Sequence, residues 1–178
     1  MLPNEFGKVA VLMGGDSAER DISLMSGQAV LESLLRSGVD AVGVDEIDRT
    51  LLKRLHEENF DRVFIILHGR KGEDGKIQGA MELMNLPYTG SGVLASALAM
   101  DKVLCKRLWQ NQGLSTPSFV ELDKQTNWQE VIDTLGTVFV KPVKEGSSIG
   151  ISKAESPEEL AKAYSDARQY DDVVIAEQ

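Results

Sequence analysis

Apolar positions in the first hundred residues switch repeatedly between two periods. Lys8 to Met13 is a strand-length apolar run, and the Gly14-Gly15 turn ends it. Within Ile22 to Leu35, Gly27, Val30, Leu31 and Leu34 recur at i, i+3, i+4 and i+7, which predicts an amphipathic helix with Gly38 as its C-cap. Val39 to Val44 reads as a second strand and Leu51 to Glu58 as a short helix. Arg62 to Leu67 is apolar on both faces, as a buried central strand would be. Ile77 to Met84 is helical again, Asn85-Leu86-Pro87 stops it, and the glycines of Tyr88 to Gly92 exclude a helix interior. Two helical stretches follow, Val93 to Met100 and Lys102 to Gln110, broken near Asp101. Alternation of this kind argues for a parallel sheet carrying helices.

The pattern changes from Thr116 onward. Phe119 to Leu122 and Thr137 to Val140 read as strands flanking a helix from Trp128 to Leu135, and Ile149 to Ser152 as a further strand. Ser156-Pro157-Glu158-Glu159 has the form of a capping box with proline at the first helical position, and Leu160, Ala163, Tyr164 and Ala167 stripe the helix behind it. Val173 to Ala176 begins one more strand. A sheet strand placed there is expected to leave an unpaired edge, so the chain reads as a fragment. The composition break between Asp101 and Thr116 marks two domains, 1–100 and 101–178.

Composition narrows the classes. With 42% apolar and 26% charged residues over 178 positions, the chain reads as globular. Its 28 acidic against 19 basic residues give a formal charge of -9, which repels phosphate backbones and argues against nucleic acid as the partner. Its aliphatic runs fall far short of the ~20 residues that span a bilayer, so no membrane association is expected. The single cysteine, Cys105, excludes an internal disulfide and suits a reducing cytosol. Two histidines without cysteine partners give no zinc site.

Candidate chemistry sits at the predicted strand ends. Gly14-Gly15-Asp16-Ser17-Ala18-Glu19-Arg20 lets a ligand approach the backbone, and Glu19 suits an ammonium. Asp16 or Ser17 as a helix cap, with Glu19 serving the helix dipole, is the plainer reading. His68, opening the polar loop to Lys76, fits an acid, base or orienting role, or simply a hydrogen-bonded loop residue. His56, on a surface helix, reads as inert. Val138 to Gly150 delivers Lys141 at a strand end and follows it with Glu145-Gly146-Ser147-Ser148, whose amides and hydroxyls suit phosphate oxygens. The lysine precedes the glycines, so this is not a Walker A loop. A polar hairpin is the alternative there. Lys102 is a second cation near the domain boundary.

These segments occur together with Leu86-Pro87-Tyr88-Thr89-Gly90-Ser91-Gly92 and Ala97-Leu98-Ala99-Met100-Asp101-Lys102. In that order the chain resembles the D-alanine–D-alanine ligase family of ATP-grasp enzymes of peptidoglycan synthesis. The resemblance implies an α/β protein: a Rossmann-like N-terminal domain that binds D-alanine, then an incomplete α+β ATP-grasp domain. It also implies formation of an acyl phosphate from the first D-alanine, which the amine of a second D-alanine attacks.

By the same resemblance Glu19, with His68 nearby, holds the first D-alanine, and Ser147 joins Glu19 as the second catalytic residue. Lys102 and Lys141 bind phosphates. Glu145, Gly146, Ser147 and Ser148 belong to the loop over ATP. Glu177 and Gln178 lie on the adenine-binding strand, where Gln178 departs from the family's lysine. Magnesium ligands are expected beyond Gln178 and none within this chain, so the chain alone is expected to be inactive. The resemblance further implies a homodimer in the bacterial cytoplasm. The alternatives are a ligase using D-lactate or D-serine, or a non-catalytic ligand-binding fragment.

Overall fold

A computed structural model describes residues 2–45, 48–146 and 148–178. The chain divides into two compact units, Met1–Ala97 and Leu98–Gln178.

In the first unit, β1 (Val9–Leu12) pairs in parallel with β2 (Ala41–Val44) on one side and β3 (Arg62–Ile65) on the other. Successive side chains point to opposite faces. Val9 and Val11 therefore pack with Val30, Leu31 and Leu34 of α1 (Arg20–Arg36). Ala10 and Leu12 join Leu51 and Leu55 of α2 (Leu51–Glu57) and Ile77 and Met81 of α3 (Lys76–Leu83). All four β1 residues are thus buried.

Helix α1 ends in a Schellman arrangement: the Gly38 amide donates to the Leu35 carbonyl at 3.0 Å and that of Val39 to Leu34 at 3.0 Å. Those bonds hold Val39 out of the ladder, so β2 starts at Ala41 and not at Val39. The central strand is β1. Arg62–Ile65, expected to be central, has beyond it, among the described residues, the isolated bridge between Val63 and Tyr88. Helix α4 spans Val93–Met100.

In the second unit, α5 (Lys102–Asn111) is capped by Asp101, whose carboxylate accepts the Leu104 amide at 3.0 Å. The sheet is antiparallel, in the order β4 (Phe119–Leu122), β7 (Val174–Glu177), β5 (Val138–Pro142), β6 (Ser152–Ala154). One face, with Val138, Val140, Val174 and Ala176, packs on α6 (Trp128–Leu135) and α7 (Pro157–Ala167). The other turns Val143 and Ile175 toward Val103 of α5.

Three expectations change here. Strand β7 is paired on both sides, by β4 and β5, and is not an unpaired edge. The strand expected from Ile149 begins at Ser152, because turn bonds from Ile149 to Gly146 and from Ile151 to Ser148 occupy the preceding residues. The capping box is half formed: Ser156 Oγ accepts the Glu159 amide at 3.2 Å, but Glu159 reaches back to the amide of Glu155 and not to that of Ser156.

Candidate functional site

Parallel pairing brings the carboxyl ends of β1 and β3 side by side, so the loops after them, residues 13–19 and 66–75, share one sheet edge. Buried Ser23 on α1 stitches them together. Its Oγ accepts the Gly14 amide at 2.8 Å and donates to the Ile66 carbonyl at 2.8 Å. Arg20 grips Asp45 through two hydrogen bonds, at 2.6 and 2.5 Å, and donates to the Gly15 carbonyl at 2.8 Å. The Arg20 hydrogen bond, opposed by burial, holds the Asp45 carboxyl below its ordinary range.

Glu19 stands at the N-cap position of α1, with its carboxylate against the peptide of Gly69. A Cβ on Gly69 would lie 3.1 Å from Glu19 Oε2. Glu73 accepts the Gly69 amide at 2.7 Å, and its other oxygen is 3.9 Å from His68 Nδ1, too far for a hydrogen bond. Lys71 pairs with Asp16 across the two loops. Glu19 and His68 are therefore both at this edge. It combines a carboxylate with closely approachable backbone, a combination suited to a small ammonium-bearing ligand.

Gly14 has φ of +81°, and a Cβ there would fall 1.9 Å from Asp45 Oδ1. Gly14→Ala should therefore cost about 1–2 kcal/mol, through backbone strain and the displaced Arg20–Asp45 pair. Urea unfolding measures it, and an unchanged midpoint would contradict the fit described.

The second unit carries the cations. Register pairs Phe139 with Glu177 and Lys141 with Ile175, so Lys141 and Glu177 lie on the same face of adjacent strands, the face toward α5. Lys141 Nζ is 2.5 Å from Glu177 Oε1, and Lys106 Nζ is 2.6 Å from Oε2. Burial alone would raise the Glu177 pKa, but the two lysines outweigh it and hold the carboxyl below its ordinary range. Lys102 Nζ donates to the carbonyls of Glu145 at 2.6 Å and Val143 at 3.2 Å. Burial, reinforced by the like charge of Lys141, depresses the Lys102 pKa. An anion beside both ammonium groups would relieve that repulsion, so the donor set fits a polyphosphate.

Glu145 and Gly146 are half-buried and Ser148 is exposed on the turn after β5, whereas Ser147 lies outside the described residues. Gln178 donates from its side chain to the Leu135 carbonyl at 3.0 Å and from its backbone amide to Ser118 at 3.1 Å. Its backbone amide and one side-chain N–H are thereby committed. Glu177 spends its side chain on two lysines. Among the described residues no group of three or more His, Cys, Asp or Glu could hold a metal ion.

Sequence reasoning missed Ser23, Asp45 and Lys106, and named Arg20 only as the end of the glycine motif, with no role. Lys106 left one signal: it lies three positions after Val103, on the buried stripe of α5.

Comparison with known proteins adds the family. The family model described as D-ala D-ala ligase N-terminus matches residues 45–91, and that described as D-ala D-ala ligase C-terminus matches residues 108–178. A D-alanine–D-alanine ligase of Nitrosomonas eutropha is 57% identical over 175 residues, covering 98% of this chain and 57% of that protein. A crystal structure of D-alanine–D-alanine ligase from Bacillus anthracis superposes with a TM-score of 0.85 at 31% identity, over 96% of this chain and 56% of that one. The same Bacillus anthracis ligase complexed with ATP gives 0.83 at 29% identity, again over 96% of this chain, and 57% of that one. The chain thus spans a little over half the length of the relatives it matches. With both family models matched in order and over half its residues identical to such a relative, the chain belongs to the D-alanine–D-alanine ligase family.

Proposed function

We propose that this chain supplies the first-substrate site and part of the nucleotide site of an ATP-dependent D-alanine–D-alanine ligase of peptidoglycan synthesis. The observation that carries this reading is the 57% identity to the Nitrosomonas eutropha ligase across 98% of the chain. The cation pair of the second unit and the carboxylate edge of the first support it.

In this reading Glu19, assisted by His68, fixes the ammonium of the first D-alanine, whose carboxylate is the nucleophile. Lys102 and Lys141 neutralise the phosphates, and the 145–148 loop, with Ser147 as a substrate contact, covers them. A carboxylate oxygen attacks the γ-phosphorus, ADP leaves, and the acyl phosphate forms. The amine of the second D-alanine then attacks that carbonyl, loses a proton, and expels inorganic phosphate. Glu177 and Gln178 lie beside the adenine. Magnesium, held by residues outside this chain, would offset phosphate charge when bound. We place the enzyme in the bacterial cytoplasm as a dimer.

The test is a chimera in which these 178 residues replace the matching stretch of the Nitrosomonas eutropha ligase. With MgATP it should release phosphate only when D-alanine is added, whereas the 178-residue chain alone should release little. Phosphate release by the chimera that ignores D-alanine, or that requires D-lactate or D-serine as acceptor, would overturn the assignment.

A further inference from the structure

The cation cluster of the second unit holds one more lysine than phosphate binding requires. Lys106 is 3% exposed, and its three N–H protons find three acceptors. These are Glu177 Oε2 at 2.6 Å, Thr116 Oγ1 at 2.7 Å and the Pro117 carbonyl at 2.9 Å. The Phe119 ring, 5.1 Å away, closes over it. So enclosed, Lys106 cannot itself reach a ligand. Lys141 differs: its side chain is 21% exposed, and it meets the other oxygen of the same carboxylate.

We infer that Lys106 is a positioning residue: it anchors the Glu177 carboxylate so that Lys141 can leave Glu177 for the phosphates of ATP without stranding a buried charge. This rests on the ligase reading for the identity of the anion. A largely buried carboxylate with one lysine would hold that lysine tightly, because releasing it would leave the carboxylate unpaired. With two lysines, one of them fixed, the departure of the second leaves an intact pair. Lys141 is thereby held in place and available. With both lysines in place they outweigh burial and hold the Glu177 carboxyl below its ordinary range.

The inference makes an inverted prediction: removing a lysine should weaken the reactivity of its neighbour. In Lys106→Met, Glu177 has only Lys141 to satisfy it. Limited acylation of the 178-residue chain with an amine-selective acetylating ester, read residue by residue by mass spectrometry, should show Lys141 labelling slowed at least threefold. The double variant Lys106→Met/Glu177→Gln, which no longer has the carboxylate, should restore the rate or exceed that of the parent. Unchanged or faster Lys141 labelling in a Lys106→Met protein with a native circular dichroism spectrum would overturn the inference. Should that variant not fold, Glu177→Gln alone decides. It keeps a carbonyl for Lys106 and should speed Lys141 labelling about threefold, and no change would overturn the inference.

In the chimera, Lys106→Met should raise the KM for MgATP about tenfold, with kcat and the KM for D-alanine within twofold. A merely structural lysine would instead lower kcat at constant KM. A parent chimera without D-alanine-dependent turnover would sink the ligase reading, while the labelling result would still decide the role of Lys106.

Discussion

Glu19→Ala in the chimera is expected to raise the KM for the first D-alanine about 100-fold and to leave the affinity for MgATP within twofold. That magnitude corresponds to about 2.7 kcal/mol, the loss of one hydrogen bond to a charged group in a half-buried site. The selectivity follows from where the groups stand. Glu19 lies against Gly69 in the first unit, whereas Lys102, Lys141 and Glu177 belong wholly to the second. Initial-rate kinetics with each substrate varied separately would read the split. An equal loss for both substrates would mean that Glu19 acts on the fold, and an unchanged KM for D-alanine would remove it from the substrate site.

Ser23→Ala should produce the larger structural effect, a loss of about 2–3 kcal/mol from the stability of the first unit. The side chain is completely buried, and its hydroxyl serves the Gly14 amide and the Ile66 carbonyl at once. Truncation leaves a buried donor and a partly buried acceptor without this partner, and a buried orphan costs about 1–3 kcal/mol. Because those groups belong to the two site loops, amide exchange at Gly14 and Gly15 should accelerate more than exchange in β2. A change below about 0.5 kcal/mol would show that water or a local shift replaces the hydroxyl. Ser23→Thr would not be a suitable control, since its added methyl has to enter the packed space between α1 and β3.

Local patterns carried much of this architecture, and the reason is visible in particular elements. Phe119–Leu122, Trp128–Leu135 and the helix behind Ser156 are specified by neighbouring residues: a short apolar run, an asparagine cap, a serine followed by proline. Strand neighbours are not specified that way. Nothing near Arg62 to Ile65 announces that β1, and not β3, takes the central place, because pairing is a contest among segments far apart in the chain. The site divides along the same line. Glycines and strand ends pointed to the loops at Gly14, His68 and Lys141, since backbone approachability is a local property. The side chains that organise those loops were invisible, because Arg20 meets Asp45, Ser23 meets Ile66 and Lys106 meets Glu177 only in the folded protein.

The antiparallel sheet also constrains how the second unit is made. Among the described residues Phe119–Leu122 has one neighbour, Val174–Glu177. On a ribosome the earlier strand emerges long before its companion, and only the helix–strand pieces between them can assemble meanwhile. Slow maturation follows from such non-local closure. During that interval the apolar Phe119 and Val120 stay without their mate, so a nascent chain paused short of Val174 would be a natural client for a holding chaperone.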